Sequence, residues 1–167
     1  IARAGAVERL GRGLYHYPTT NEELGIKLNP GMDEVAEALG RQTGSRMVPS
    51  GAMAANPLGL STQVPAKPVY FSDGRTRRVR VGNLAFQVRH VAPKELPGGG
   101  RTSAMVFQAL RYLGQEAIDS RVIEQLSRSL SPKQKRDLLR DAQYAAGWIT
   151  QVARRVVQGE KREVAHG

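Results

Sequence analysis

The sheet of this protein is encoded in Val69-Tyr70-Phe71-Ser72-Asp73-Gly74-Arg75-Thr76-Arg77-Arg78-Val79-Arg80-Val81-Gly82-Asn83-Leu84-Ala85-Phe86-Gln87-Val88-Arg89-His90-Val91. Runs of β-forming residues are parted by Asp73-Gly74 and Gly82-Asn83, dipeptides that turn a chain tightly. Pro68–Ser72 reads as the first strand, Arg77–Val81 as the second and Leu84–Val91 as the third. In the third, Leu84, Phe86, Val88 and His90 alternate with Ala85, Gln87, Arg89 and Val91, the period of a strand with two unlike faces. The turns predict an antiparallel meander.

Helical patterns lie on both sides of these strands. Met32–Thr43 places Val35, Ala36 and Leu39 on one stripe, with Asp33 and Glu34 near its positive end and Gly44 as its stop. Arg46-Met47-Val48 is a short strand. Ser50 is placed to cap a small-residue helix, Gly51–Leu58, closed by Pro57 and Gly59. These small residues suit a helix packed closely on the sheet, with Asn56 serving local backbone groups. Beyond the glycine-rich Pro97–Gly100, Thr102–Leu113 and Ile118–Leu130 read as helices. Ser131, Pro132 and Gln134 then start a long helix, predicted to reach about Val157, with a capping box. Leu138, Ala142, Ala145, Ile149, Val152 and Val156 follow the a/d rhythm of helix packing. That seam serves either the protein's own helices or a partner helix.

The other end of the chain is different in kind. Ile1–Tyr17 reads as paired short strands stopped by Pro18, and Thr19–Pro30 is a polar connection with a proline at its end. The first residue falls in what reads as mid-strand, so further residues are expected upstream. The expected class is α+β. Residues 1–18 are an N-terminal piece and 19–30 a linker. Residues 31–158 form a domain with a small antiparallel sheet and a helical C-terminal half, and 159–167 a disordered charged tail.

Among the 167 residues there is no cysteine, which excludes disulfides and thiolate metal sites and is compatible with a cytoplasmic protein. No apolar run approaches the ~20 residues of a membrane span. The net charge of +10 favours an anionic partner. Much of it lies between Gly74 and Arg101, where Arg75, Arg77, Arg78, Arg80, Arg89, Lys94 and Arg101 face Glu95 alone. Arg78 and Arg80 share one strand face, and Val79 and Val81 take the other. Two readings remain open for these arginines: contact with an anion, or a charged edge that blocks strand-to-strand aggregation.

Enzyme signatures are absent, and neither cofactor nor metal is expected. His16, His90 and His166 have no ligand partner at metal-binding spacing. No G-x-S-x-G surrounds Ser50, and no Asp or Glu stands two residues before a Lys as metal-dependent nucleases require. Asp137 and Asp141, one helical turn apart, read as a solvated face. Pro97-Gly98-Gly99-Gly100-Arg101-Thr102-Ser103 joins exposed N–H groups to a helix start, a combination that binds phosphate in some proteins. It lacks the spacing and the Lys-Ser or Lys-Thr of a nucleotide-binding loop, so a flexible connection is the simpler reading.

Several phrases resemble one family. Arg9-Leu10-Gly11-Arg12-Gly13-Leu14-Tyr15-His16-Tyr17-Pro18 is similar to the wing ending the winged-helix domain of AbiEi-type antitoxins, the regulators of type IV toxin–antitoxin pairs. Arg46–Pro65 looks like the central segment of that family, through Pro49, Ser50, Gly51, Asn56, Gly59, Leu60, Ser61 and Gln63, for which a mainly structural role is expected. Val69–Gly74 and Gln108–Gly114 resemble it too. The resemblance implies a DNA-binding transcriptional autoregulator and an antitoxin against a nucleotidyltransferase-type toxin. As part of a wing, Arg3, Arg9 and Arg12 are placed to contact the DNA backbone, and Arg75, Arg77, Arg78 and Arg80 read from their charge as a second basic site. The helix-turn-helix that should precede the wing is not in this sequence. Without the resemblance, the first hairpin is an ordinary solvated one, and the alternative is a stand-alone nucleic-acid-binding or interaction module. A toxin role is disfavoured, since Gly44-Ser45 is not followed by any Asp-x-Asp.

Overall fold

A computed structural model describes residues 30–166. The expected wing, 1–18, with Arg3, Arg9 and Arg12, and the connection up to residue 29 lie outside the described residues. The described part is α+β: one small sheet, helix α1 (Pro30–Thr43) against it, and a layer of further helices.

The strands are β1 (Met47–Pro49), β2 (Val69–Ser72), β3 (Arg77–Val81) and β4 (Leu84–His90), in the order β1-β2-β4-β3. This corrects the meander. Strand β4 runs parallel to β2 and antiparallel to β3, and β1 is antiparallel to β2. The sheet is therefore mixed rather than antiparallel. Burial is the reason. Strand β4 supplies Phe86 and Val88 to the core, whereas β3 buries only Val79 among three arginines. The apolar strand takes the centre and the charged one the edge. The four residues Asp73–Thr76 reach past one strand position, since strands are spaced ~4.8 Å and extended chain spans ~3.3 Å per residue. Strand β4 holds that connection: the His90 N–H donates to Thr76 Oγ1 at 3.0 Å, and His90 Nδ1 lies 2.7 Å from the Gly74 carbonyl. Gly82 takes a positive φ of 59° in the two-residue turn to β4, where a side chain is disfavoured.

One sheet face meets α1. Met32, Val35, Ala36 and Leu39 close over Tyr70, Val79, Phe86 and Val88, the apolar stripe read from the sequence. The Tyr70 and Phe86 rings meet edge-on at 5.0 Å. On the other face, Val48, Phe71 and Val91 pack on Leu96 and on Ala104 of α3 (Arg101–Leu113).

The second core is helical. Helices α2 (Gly51–Ala55), α3, α4 (Ser120–Ser129), α5 (Pro132–Asp141) and α6 (Gly147–His166) bury Ala54, Phe107, Leu110, Leu126, Leu138, Ile149 and Val156 together with Leu58 of the turn after α2. Asp119 caps α4 through the Arg121 and Val122 N–H groups. Ser131 and Gln134 form the expected capping box on α5.

Several expectations are corrected here. Helix α2 is shorter than Gly51–Leu58, Ser50 gives it no side-chain cap, and it lies on α3 rather than only on the sheet. The long final helix is two. It breaks at a 3-10 turn, Ala142–Tyr144, where the Thr150 hydroxyl donates to the Ala142 carbonyl at 2.9 Å and α6 folds back on α5. Leu138, Ala142, Ile149, Val152 and Val156 are buried in this helical core, so the seam is closed by the protein's own helices and is not open to a partner. Ala145 is partly buried there. The stretch expected as a tail continues α6 to His166. Among the described residues no helix is long and apolar enough to cross a membrane.

Candidate nucleic-acid interface

The register of the sheet gathers the basic residues. Arg78 pairs with Gln87 and Arg80 with Ala85, while Phe71 pairs with Arg89 and Val69 with Gln87. Paired residues share a face. Arg78, Arg80, Gln87, Arg89 and Phe71 therefore lie on the face opposite α1. Helix α3 covers that face only at the β1 end. Arg78, Arg80 and Arg89 are exposed and form no ion pair among the described residues. Cations spaced along a solvent-facing sheet, with no carboxylate to neutralise them, attract a polyanion.

The four arginines of the expected second basic site do not all lie on one sheet face. Arg77 pairs with Val88, on the face of Val79 and Tyr70, and Arg75 lies in the connection before β3. Arg89, outside that expected site, joins Arg78 and Arg80 on their face instead. Its signal was available: Arg89 falls in phase with Ala85 and Gln87, and those pair with Arg80 and Arg78 across the Gly82-Asn83 turn.

The basic face leads into a cleft of about 400 Å³ between the sheet and α3. Lys67, Phe71 and Arg89 form one side, with Gln108, Arg111 and Tyr112 on the other and Ser50 and Gly51 also lining it. Glu95 is the one carboxylate there and is already engaged. Arg111 Nη1 donates to its carbonyl at 3.1 Å and Nη2 lies 3.5 Å from Oε1, while the Ala92 N–H donates to Oε2 at 3.1 Å. Lys67 and Arg89 have no such partner among the described residues. Tyr112 is about half exposed, its ring unneeded by the core.

Residues 1–138 of the chain match the Family of unknown function (DUF6088). The chain belongs to that family. No curated protein and no solved structure matches it.

In this DUF6088 chain the Pro49–Gln63 segment is a packing element. A Cβ on Gly51 would lie 2.3 Å from the Gln108 carbonyl oxygen and 2.3 Å from Tyr112 Cβ, so only glycine lets α2 meet the backbone of α3. The Ser50 N–H donates to the Val69 carbonyl at 3.0 Å, tying Pro49 and Ser50 to β2. The Asn56 amide donates to the Ser61 carbonyl at 3.1 Å, and Ser61 Oγ accepts the Gln63 N–H at 3.1 Å. Leu60 packs on the helical core, and Gly59 turns with a φ of 78° against Gln125 of α4. The segment sets how α3 stands over the sheet, and so shapes the cleft.

Two charged clusters lay beyond sequence reasoning. Arg101, opening α3, forms ion pairs with buried Asp33 and, at 3.2 Å, with Glu37, both on α1. The Tyr70 hydroxyl donates to Asp33 at 3.5 Å. Burial, and then the Asp33 charge, push the Tyr70 phenol far up, so it stays protonated as that donor. Burial likewise raises the Glu37 carboxyl, against the pull of Arg101. At the glycine-rich loop, Asp141, buried rather than on a solvated face, takes the α3 N-terminus in place of a phosphate. Among the described residues no three of His, Cys, Asp and Glu are gathered as metal ligands.

Proposed function

We propose that this protein is a DNA-binding transcriptional regulator whose sheet face supplements DNA contact by the N-terminal region. The observation that carries the reading is the row of exposed, unpaired Arg78, Arg80 and Arg89 on the face turned away from α1. Such contacts go to phosphate, so they add affinity and orientation rather than base specificity. The AbiEi resemblance supplies the biological half: autorepression of its own promoter and neutralisation of a nucleotidyltransferase-type toxin. A gel shift of the full chain with its own promoter tests the first part. Arg78→Ala/Arg80→Ala/Arg89→Ala should weaken the shift, and unchanged affinity would confine DNA contact to the N-terminal residues. Rescue of growth when the chain is co-expressed with a nucleotidyltransferase-like protein from the neighbouring gene tests the second. Promoter binding without rescue would favour the stand-alone nucleic-acid-binding module.

A further inference from the structure

We infer that the cleft between the sheet and α3 accepts one unpaired nucleotide, making this a site for single-stranded nucleic acid. The inference deepens the proposed function by naming a ligand class for the basic face, and it rests on that reading.

The chemistry is in the lining. A nucleotide offers a phosphate and a flat base, and the cleft offers a partner for each. Lys67 and Arg89 are unneutralised among the described residues and stand where the open sheet face enters the cleft. Phe71, half-buried, and Tyr112, about half exposed, contribute aromatic surface to its walls. Exposed aromatic rings beside cations are how proteins hold single strands, because every base has a stacking face. The site is a half-open cleft with α3 as one wall, so a base splayed out of its helix fits it, whereas a duplex is confined to the open rows of Arg78 and Arg80. The strand then continues along those rows, where phosphates meet the arginines.

Gly51 and Glu95 hold the cleft in shape. The first allows α3 to approach, and the second fixes Arg111 and receives, through its carbonyl, the Gln108 amide at 2.8 Å. Lys67, Arg89 and Tyr112 are the side chains left for a ligand.

Fluorescence anisotropy of the full chain, with a short labelled oligo(dT), the matching oligo(U) and a blunt duplex of equal length, tests this. Arg89→Ala should weaken single-strand binding about tenfold. Tyr112→Ala should weaken it about fivefold or more while leaving the duplex unaffected, and Tyr112→Phe should restore it. A preference for either oligonucleotide supports the same site. Wild-type single-strand affinity in both alanine variants, or equal losses for single strand and duplex in Tyr112→Ala, would overturn the inference. If duplex affinity still falls in Arg78→Ala/Arg80→Ala while the cleft variants change nothing, the cleft inference fails and the regulatory reading stands.

Discussion

Asp141 closes the N-terminal end of α3: its Oδ2 accepts the Gly100 N–H at 3.0 Å. A helix start leaves backbone N–H groups unsatisfied and favours negative charge. Here α5 brings the charge, and Arg140 braces it at 3.1 Å. A Cβ on Gly99 would lie 2.4 Å from Asp141 Cγ, so the glycine run makes room for a carboxylate of the same chain.

Asp141→Ala is expected to destabilise the protein by about 2 kcal/mol, since the Gly100 N–H and the buried Ser103 hydroxyl lose their acceptor. Urea unfolding measures this. Burial works to raise the Asp141 carboxyl, but the Gly100 N–H, Ser103 hydroxyl and Arg140 guanidinium outweigh it and hold it below the ordinary 3.8. A depressed carboxyl stabilises fully above its unfolded value and loses that contribution as pH falls through its folded value. The stability gap between wild type and Asp141→Asn should therefore be steady down to about pH 5 and narrow below it.

Gly51→Ala should cost about 2–3 kcal/mol or prevent folding, because its Cβ meets backbone at 2.3 Å. Gly82→Ala meets nothing within 4 Å and strains only the turn, an effect of about 1 kcal/mol. Comparing the two by thermal unfolding separates close approach from backbone conformation. A Gly51→Ala variant as stable as Gly82→Ala would mean that α2 is not held against α3.

Arg101→Ala removes a cation from beside the buried Asp33 carboxylate, and a loss of about 3 kcal/mol is expected. Asp33→Asn/Arg101→Met should lose less than the two single variants added together, which a double-mutant cycle measures.

Leu138→Ala should lower stability by about 2–4 kcal/mol without changing the oligomeric state, as a core position does. A change of oligomeric state with stability intact would restore the partner-helix reading of the seam.

Much of this fold was legible in the sequence. Period and capping located α1, β3 and the start of α5 closely, because each carries strong local signals: the Val35–Leu39 stripe, the turns beside Arg77–Val81, and the Ser131 box. Pairing was not legible. A short connection at Asp73–Thr76 serves a hairpin as readily as a step across one strand, and only competition for burial puts Phe86 and Val88 at the centre. The even seam from Leu138 to Val156 concealed a break, since helices that fold together bury the same residues as one continuous helix. The basic face was half legible, through Arg78 and Arg80. Arg89 needed the register, and Lys67 and Tyr112 needed the placement of α3. The Asp33–Arg101 pair joins residues too far apart in the chain for spacing to reveal.

The central claim, that the open sheet face meets phosphate, is tested most directly by the salt dependence of promoter binding. Each phosphate contact contributes about −0.9 to the slope of log Kobs against log salt concentration. Arg78→Ala/Arg80→Ala in the full chain should weaken binding and make that slope shallower by about 2. An unchanged affinity and an unchanged slope would contradict it.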